Sequence, residues 1–374
     1  MRIVYILHSL NIISPNTVIV NIIKNIVSQV QEILVISLFQ SREDNYKNLL
    51  TSINVKFIEY KSYDKAFEEL KNLSNIINKY DILHLNQHKS FEIGKHLCEH
   101  NNHLKVISTC HSVEDVEVKE HKYSGYAKIS AKRRLREQGF FYKNHSKVVA
   151  VSNEVEKYLF RIECINTSVI YNGVNYEAFP KNPFYKRKSN EISFAQVGHI
   201  MPLKNQLYSL KLIRYLRMKN LTAKLHLFGG YMFENGYKRE LLRYIKKYNL
   251  EESVFFHGEV QWDSLFKFLK NIDILLMPST TEGLPLALIE TFYFSMSSIV
   301  SNNGGMKEIV KNYKNGLVID NVKNQKNFKK VYINCIKKRY LKEGKNNKRN
   351  LVQKFSSKNM AQKYYDEYIK LLNL

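Results

Sequence analysis

Short apolar runs of strand length alternate with longer amphipathic segments along nearly the whole chain, and this alternation most narrows the folds open to it. Residues 2–7, 32–38, 55–59, 81–85, 104–109 and 147–152 read as six strands, each rich in Val, Ile, Leu or Phe. Runs this short and continuously apolar suit parallel strands buried on both faces. Segments between them, such as 63–80, have helical periodicity. A second series follows, with strand-like runs at 192–197, 224–228, 254–256, 272–277 and 298–301 and helical stretches at 206–219, 237–248, 264–270 and 286–294. Two such series imply two α/β domains in tandem, which suits a length of 374 residues. The boundary is expected in 179–190, FPKNPFYKRKSN, which is polar, basic and holds two of the six prolines. The expected domains are therefore 1–183 and 184–355. A final helix follows at 356–374, with Met360, Tyr364, Tyr365, Tyr368 and Leu371 at helical spacing, a candidate to pack back on the N-terminal domain.

Composition removes several classes. Hydrophobic residues make up 44% of the chain, enough for large cores and against a mainly disordered state. The longest apolar stretches, such as 272–277, fall far short of a membrane span. No secretory signal is read in MRIVYILHSLNIISPN, so a cytoplasmic location is expected. Cys98, Cys110, Cys164 and Cys335 form no CxxC pair, which argues for reduced thiols rather than a disulfide framework or a zinc site. The net charge of +24 favours anionic partners: a phosphorylated substrate, an anionic membrane surface or nucleic acid. No helix-turn-helix, zinc-finger or RNA-binding signature accompanies it, so no specific nucleic-acid partner is expected.

The densest chemical signal is MPSTTEGLPLALIE at 277–290. A strand ends, a turn carries Glu282 and Gly283, and a helix starts near Pro285, a residue suited to a first helical position. Free N–H groups and the positive dipole end at such a helix start favour phosphate. Glu282 and Glu290 flank that start, so a diphosphate docked there could present a sugar to one carboxylate and a ribose to the other. The bare Glu-x7-Glu spacing is weak, since about three acidic pairs at that spacing arise by chance; the strand–turn–Gly–Pro–helix setting gives it meaning. A second signal is VGHIMPLKN at 197–205, after the first strand of the second series. There Gly198 permits close backbone approach and Lys204 offers a point charge for phosphate, five residues after His199. A third is His111 in STCHS, at the carboxyl end of a first-domain strand. It could hydrogen-bond a substrate hydroxyl or carry partial positive charge near a leaving group.

Taken in order, these segments resemble family 4 of the retaining glycosyltransferases. SVIYNGVNYEAF at 168–179 is similar to the family's VIPNGVD segment, VGHIMPLKN to VGRLxxxKN, and LHLFGG and VFFHGEV to LxIxGxG and VxFxGxV. STTEGLPLALIE matches the Glu-x7-Glu signature, and SNNGGMKEIVKNYKNGLVI resembles GGxxEIIxxGxxG. The resemblance implies the GT-B fold, two Rossmann-like doubly wound domains facing a central cleft, with the acceptor bound by the first and a nucleotide sugar by the second. It implies that Glu282 contacts the donor sugar and Glu290 the ribose. Lys204 and backbone amides around Gly283, Leu284, Pro285 and Leu286 would hold the diphosphate, beside Gly198 and His199, and His111 would sit beside the transferred sugar. No metal or cofactor is implied, the donor being a co-substrate. The reaction implied is retaining transfer of a hexose or N-acetylhexosamine, from UDP above other nucleotides, to a glycan acceptor, lipid-linked, in surface polysaccharide synthesis. Lys204 and both carboxylates are present, against a catalytically silent scaffold; a basic nucleic-acid-binding protein is the other alternative.

Two positions depart from the family pattern. His199 stands where relatives carry Arg, so donor affinity is expected to weaken as pH rises. The first strand–helix loop reads Asn11–Ile12–Ile13–Ser14–Pro15 where relatives often have a glycine pair, which limits its approach to a phosphate. Finally, 122–144 mixes Lys128, Lys132, Arg133, Arg134 and Arg136 with Tyr123, Tyr126, Phe140, Phe141 and Tyr142. That composition suits an interfacial segment docking on the inner face of the cell membrane.

Overall fold

The structure, a computed structural model, describes residues 1–11, 14–86, 88–113, 139, 142, 147–162, 164, 166–180, 191–231, 236–294, 296–320, 322, 325–337 and 348–373. Most of the expected linker 179–190 lies outside these residues. So does the basic and aromatic segment 122–144, apart from Gly139 and Tyr142. Two compact units are present. One holds the chain up to Asn175 together with Phe355–Leu374, the other Tyr176–Lys354, so the division falls at 175/176 where the sequence suggested 183/184.

The first unit is built on seven strands: β1 (Arg2–Leu7), β2 (Glu32–Ser37), β3 (Lys56–Glu59), β4 (Ile82–Asn86), β5 (Lys105–Cys110), β6 (Lys147–Ala150) and β7 (Thr167–Val169). All pairings are parallel, in the order β3-β2-β1-β4-β5-β6-β7. Burial explains the order. β1 and β4 are buried over nearly their whole length on both faces, so they occupy the centre. β3 and β7 are short and half-buried, and take the edges. The sequence pattern missed β7 because three residues, two of them Thr and Ser, carry no strand-length apolar run.

The C-terminal helix Ser357–Asn373 returns to this unit and packs on the Ser14–Ile26 helix. Met360, Ala361, Tyr364, Tyr368 and Leu371 form its buried face; Tyr365, expected among them, is half-buried. Two of these tyrosines enter the sheet. The Tyr368 hydroxyl lies 2.7 Å from His84 Nδ1 and 3.0 Å from the Tyr5 hydroxyl. His84 Nε2 meets Thr109 Oγ1 at 2.9 Å, and Thr109 meets the Tyr364 hydroxyl at 3.1 Å. Tyr5 and His84 are register partners on β1 and β4, so they present one face to the helix. Inside a core, each of these polar groups costs free energy unless paired, and the network pairs them. Tyr142 is also buried here, 5.2 Å edge-on to Phe91. It is therefore a core residue, not one of the interfacial aromatics expected of 122–144, because its ring is spent on packing.

The second unit repeats the plan with β8 (Ile192–Val197), β9 (Ala223–Phe228), β10 (Val254–Gly258), β11 (Ile274–Met277), β12 (Ser297–Ser301) and β13 (Gly316–Ile319). Its parallel order is β10-β9-β8-β11-β12-β13. The edge strand β13, which opens on Gly316, was also missed by the apolar pattern. In both sheets the strand order reverses beside the first strand of the series, between β1 and β4 and between β8 and β11. Ligands of doubly wound sheets bind off the carboxyl ends of the strands at that reversal.

Among the described residues no helix is long and apolar enough to cross a membrane. The four cysteines are unpaired with one another, three of them buried.

Candidate functional site

In the second unit, the loops leaving β8 and β11 carry the residues singled out from sequence. β8 ends at Val197, and Gly198 follows at φ +135°. Gly198 N donates to Phe228 O at 2.8 Å and Ile200 N to Gly230 O at 2.9 Å, so the β8 and β9 loops run side by side. Gly229 packs directly on this turn: a Cβ there would lie 2.2 Å from the Gly198 carbonyl oxygen.

Pro202–Lys204 forms a 3-10 turn stitched to the β11 loop. Thr280 N donates to Leu203 O at 2.8 Å, and Asn205 Nδ2 to Pro278 O at 3.2 Å. Asn205 itself sits at φ +55° and its side chain caps the Gln206–Met218 helix. Gln196 Nε2 donates to the Lys204 carbonyl at 2.6 Å. The Lys204 stem then passes close to Gly198, and its Nζ reaches Glu282 Oε1 at 2.5 Å. The two side chains are 23% and 11% exposed, so the pair is largely removed from water yet open to a ligand.

The turn holding Glu282 is clamped from behind by the β12 loop. Gly305 N donates to Gly283 O at 2.9 Å. Gly304 stands at φ +65°, with its would-be Cβ only 1.7 Å from the Glu282 carbonyl oxygen. Only glycine fits that contact.

The Leu286–Tyr293 helix starts where the 286–294 stretch placed it, with Pro285 just outside it and not at the first helical position. Pro285 is its N-cap, extended at φ −72° and ψ 134°, and no side chain caps it. Pro285 has no N–H and so cannot donate to a phosphate; it sets the chain direction. The Leu284 and Leu286 side chains are buried, so only backbone groups of this stretch could face a ligand. Glu290, in the second helical turn, is 4% exposed. Burial raises its carboxyl from 4.5 to about 8, which favours the protonated form at neutral pH. Beside it the Tyr176 hydroxyl donates to Ile289 O at 2.8 Å. His199 is half-buried. Its Nδ1 is enclosed and has no hydrogen-bond partner, while its carbonyl accepts from Gln206 Nε2 at 2.9 Å.

In the first unit, His111 follows β5 directly and its Nε2 is hydrogen-bonded to Asn86 Oδ1 at the end of β4. Desolvation drops the imidazole from 6.5 to about 3. Of the two roles open to it from sequence, this lowering favours the hydrogen-bonding one over positive charge. Asn86 was missed because the apolar run was read as ending at Leu85; its signal is a lone amide closing a buried strand next to the sheet reversal. In the β1 loop, Asn11 Oδ1 accepts from Arg42 N at 2.7 Å, and Ile12 and Ile13 lie outside the described residues.

Residues 15–178 match the family model described as Glycosyltransferase Family 4, and residues 179–353 match the one described as Glycosyl transferases group 1. The chain is a glycosyltransferase with one domain of each kind. Among its relatives is a UDP-Gal:alpha-D-GlcNAc-diphosphoundecaprenol alpha-1,3-galactosyltransferase of Escherichia coli, 27% identical over 65% of this chain. The match spans 63% of that relative's own length. An O-antigen biosynthesis glycosyltransferase, WclY of E. coli, is 24% identical over 81% of this chain and 80% of its own. In fold, this glycosyltransferase is similar to Anabaena Alr3699/HepE, solved in complex with UDP-glucose. The TM-score is 0.81 at 16% identity, over 99% of this chain and 100% of the other. Both sheets of this glycosyltransferase are thus those of the GT-B fold.

Proposed function

We propose that this chain transfers a hexose or N-acetylhexosamine from a nucleotide sugar, UDP-linked, to a glycan acceptor carried on a lipid, with retention at the anomeric carbon. The observation that carries the reading is the Lys204–Glu282 pair, held at the reversal point of the second sheet beside an uncapped helix start. One cation, oriented amides and one carboxylate are what a sugar diphosphate needs. Lys204 and the amides of Gly283, Leu284 and Leu286 neutralise the diphosphate. Glu282 accepts from the sugar hydroxyls and Glu290 from the ribose, while His199 faces the donor phosphates. His111, neutral, accepts from or donates to a hydroxyl of the transferred sugar. On this reading the tandem units divide the work, the second binding the donor and the first the acceptor.

In the transfer the bond from the anomeric carbon to the diphosphate oxygen breaks and the acceptor oxygen bonds on the same face. The acceptor's proton passes to the departing diphosphate. The names of the E. coli relative, with its UDP-linked donor, diphosphoundecaprenol acceptor and alpha-1,3 linkage, and of the O-antigen relative support this substrate class. An acceptor on a lipid also suits the +24 charge, which would hold the chain to an anionic membrane surface on its inner face.

The test is a panel of nucleotide sugars read by nucleotide release with a lipid-linked glycan. Because Lys204 and the helix end supply the counter-charge, release continues unchanged in EDTA. Loss of release that returns with a divalent cation contradicts that part.

A further inference from the structure

Asn86 is fully buried at the end of β4, two residues along the same strand face from His84. Water does not reach its amide, so the protein must fix both ends. Its backbone N–H donates to Ser90 Oγ at 2.9 Å, and its Nδ2 donates to the Pro15 carbonyl at 3.4 Å. A carbonyl can only accept, so the nitrogen end of the amide faces Pro15 and the oxygen end faces His111 Nε2. The register beneath is firm: Asn86 pairs with Thr109 across β4 and β5, and Thr109 is anchored to His84 and Tyr364.

We propose that Asn86 is a positioning residue for the transfer: its amide oxygen holds His111 in the Nε2–H tautomer and leaves Nδ1 as a lone-pair acceptor for a hydroxyl of the sugar. An oxygen opposite Nε2 demands a proton on Nε2, and a neutral imidazole has one proton to place. The two ring nitrogens diverge, so Nδ1 points away from Asn86. Burial alone holds His111 neutral, and the neighbouring imidazole, His84, is likewise held down to about 3. The inference rests on the reading that His111 meets the transferred sugar, but its structural half can be tested without that reading.

The experiment uses the full chain, with 15N-histidine NMR for the tautomer and steady-state kinetics with a UDP-sugar. Wild type should show His111 as Nε2–H. Asn86→Ala should mix the tautomers and lower kcat roughly 10- to 100-fold, the usual scale for a group that orients a functional imidazole, with donor KM within about twofold. Asn86→Asp keeps an oxygen opposite Nε2, so it should retain the tautomer and recover most of kcat at high pH. Its carboxylate also stabilises the imidazolium, so it should add an acid limb to the profile. An Nδ1–H signal in wild type overturns the proposal even if Asn86→Ala fails to fold. So does Asn86→Ala with wild-type kcat while His111→Ala is inactive. If His111→Ala is itself fully active, the reading of His111 in the reaction fails instead, and the NMR result still decides the role of Asn86.

Discussion

Lys204 Nζ and Glu282 Oε1 stand 2.5 Å apart, on loops that leave the two central strands of the second sheet. The cation and the carboxylate neutralise each other. On the proposed reading, a sugar diphosphate would take up both charges. Both are largely shielded from water, so removing one strands the other. Lys204→Ala should therefore destabilise the second unit by about 1–3 kcal/mol, and Lys204→Ala/Glu282→Ala by less than the sum of the single changes. A double-mutant cycle by denaturant unfolding checks this; strict additivity contradicts a working pair.

Gly304 is the hinge pin of the Glu282 turn. Its φ of +65° and the 1.7 Å approach of a would-be Cβ to the Glu282 carbonyl leave no room for a side chain. Gly304→Ala should push the turn outward and lower transfer by about 100-fold or more, in line with a small displacement of a positioned group. Both nucleotide release and the Tm of the second unit should fall. A variant with wild-type kcat argues that the Glu282 turn is not where the sugar is held.

Glu290 sets a pH signature on stability. Its carboxyl is raised to about 8 in the folded chain from 4.5. Between those values the folded state holds a proton that the unfolded chain has released, so stability falls as pH rises, by at most about 1.4 kcal/mol per pH unit. Glu290→Gln removes that loss. The Tm of wild type relative to Glu290→Gln should decline from pH 5 to pH 8, and UDP should reverse the decline if ribose hydroxyls donate to the ionised carboxylate. Parallel Tm curves for the two proteins rule out a buried neutral Glu290.

The C-terminal helix is locked by hydroxyls. Tyr368→Phe leaves both His84 Nδ1 and the Tyr5 hydroxyl without that partner. The expected cost is about 1–3 kcal/mol per stranded group, or roughly 2–4 °C of Tm per kcal/mol. Thermal unfolding measures it; an unchanged Tm means the network contributes nothing net.

Much of this fold was legible in the sequence because its strands are buried on both faces, and such strands write themselves as apolar runs. The two that were missed, β7 and β13, are three- and four-residue edges: β7 has a single apolar residue, and β13 has a run of only three after Gly316, too short to stand out. Glu282 and Lys204 stood out because a strand–turn–helix pattern marks a place where charge would meet a phosphate, and the structure brings the two side chains together. What sequence could not show was burial. It gave no sign that Glu290 is enclosed and protonated, that Tyr142 is core, or that His111 is held neutral. Those properties come from neighbours far along the chain. Asn86 escaped for a simpler reason: an amide looks like the end of a strand even when it is its last buried residue.

The most direct measurement is nucleotide release from a panel of UDP-sugars, with acceptor present, by wild type, Lys204→Ala and Glu282→Ala. The account predicts turnover by wild type with at least one UDP-hexose or UDP-N-acetylhexosamine, and a fall of about 100-fold or more in each variant. Release by either variant at the wild-type rate would contradict it.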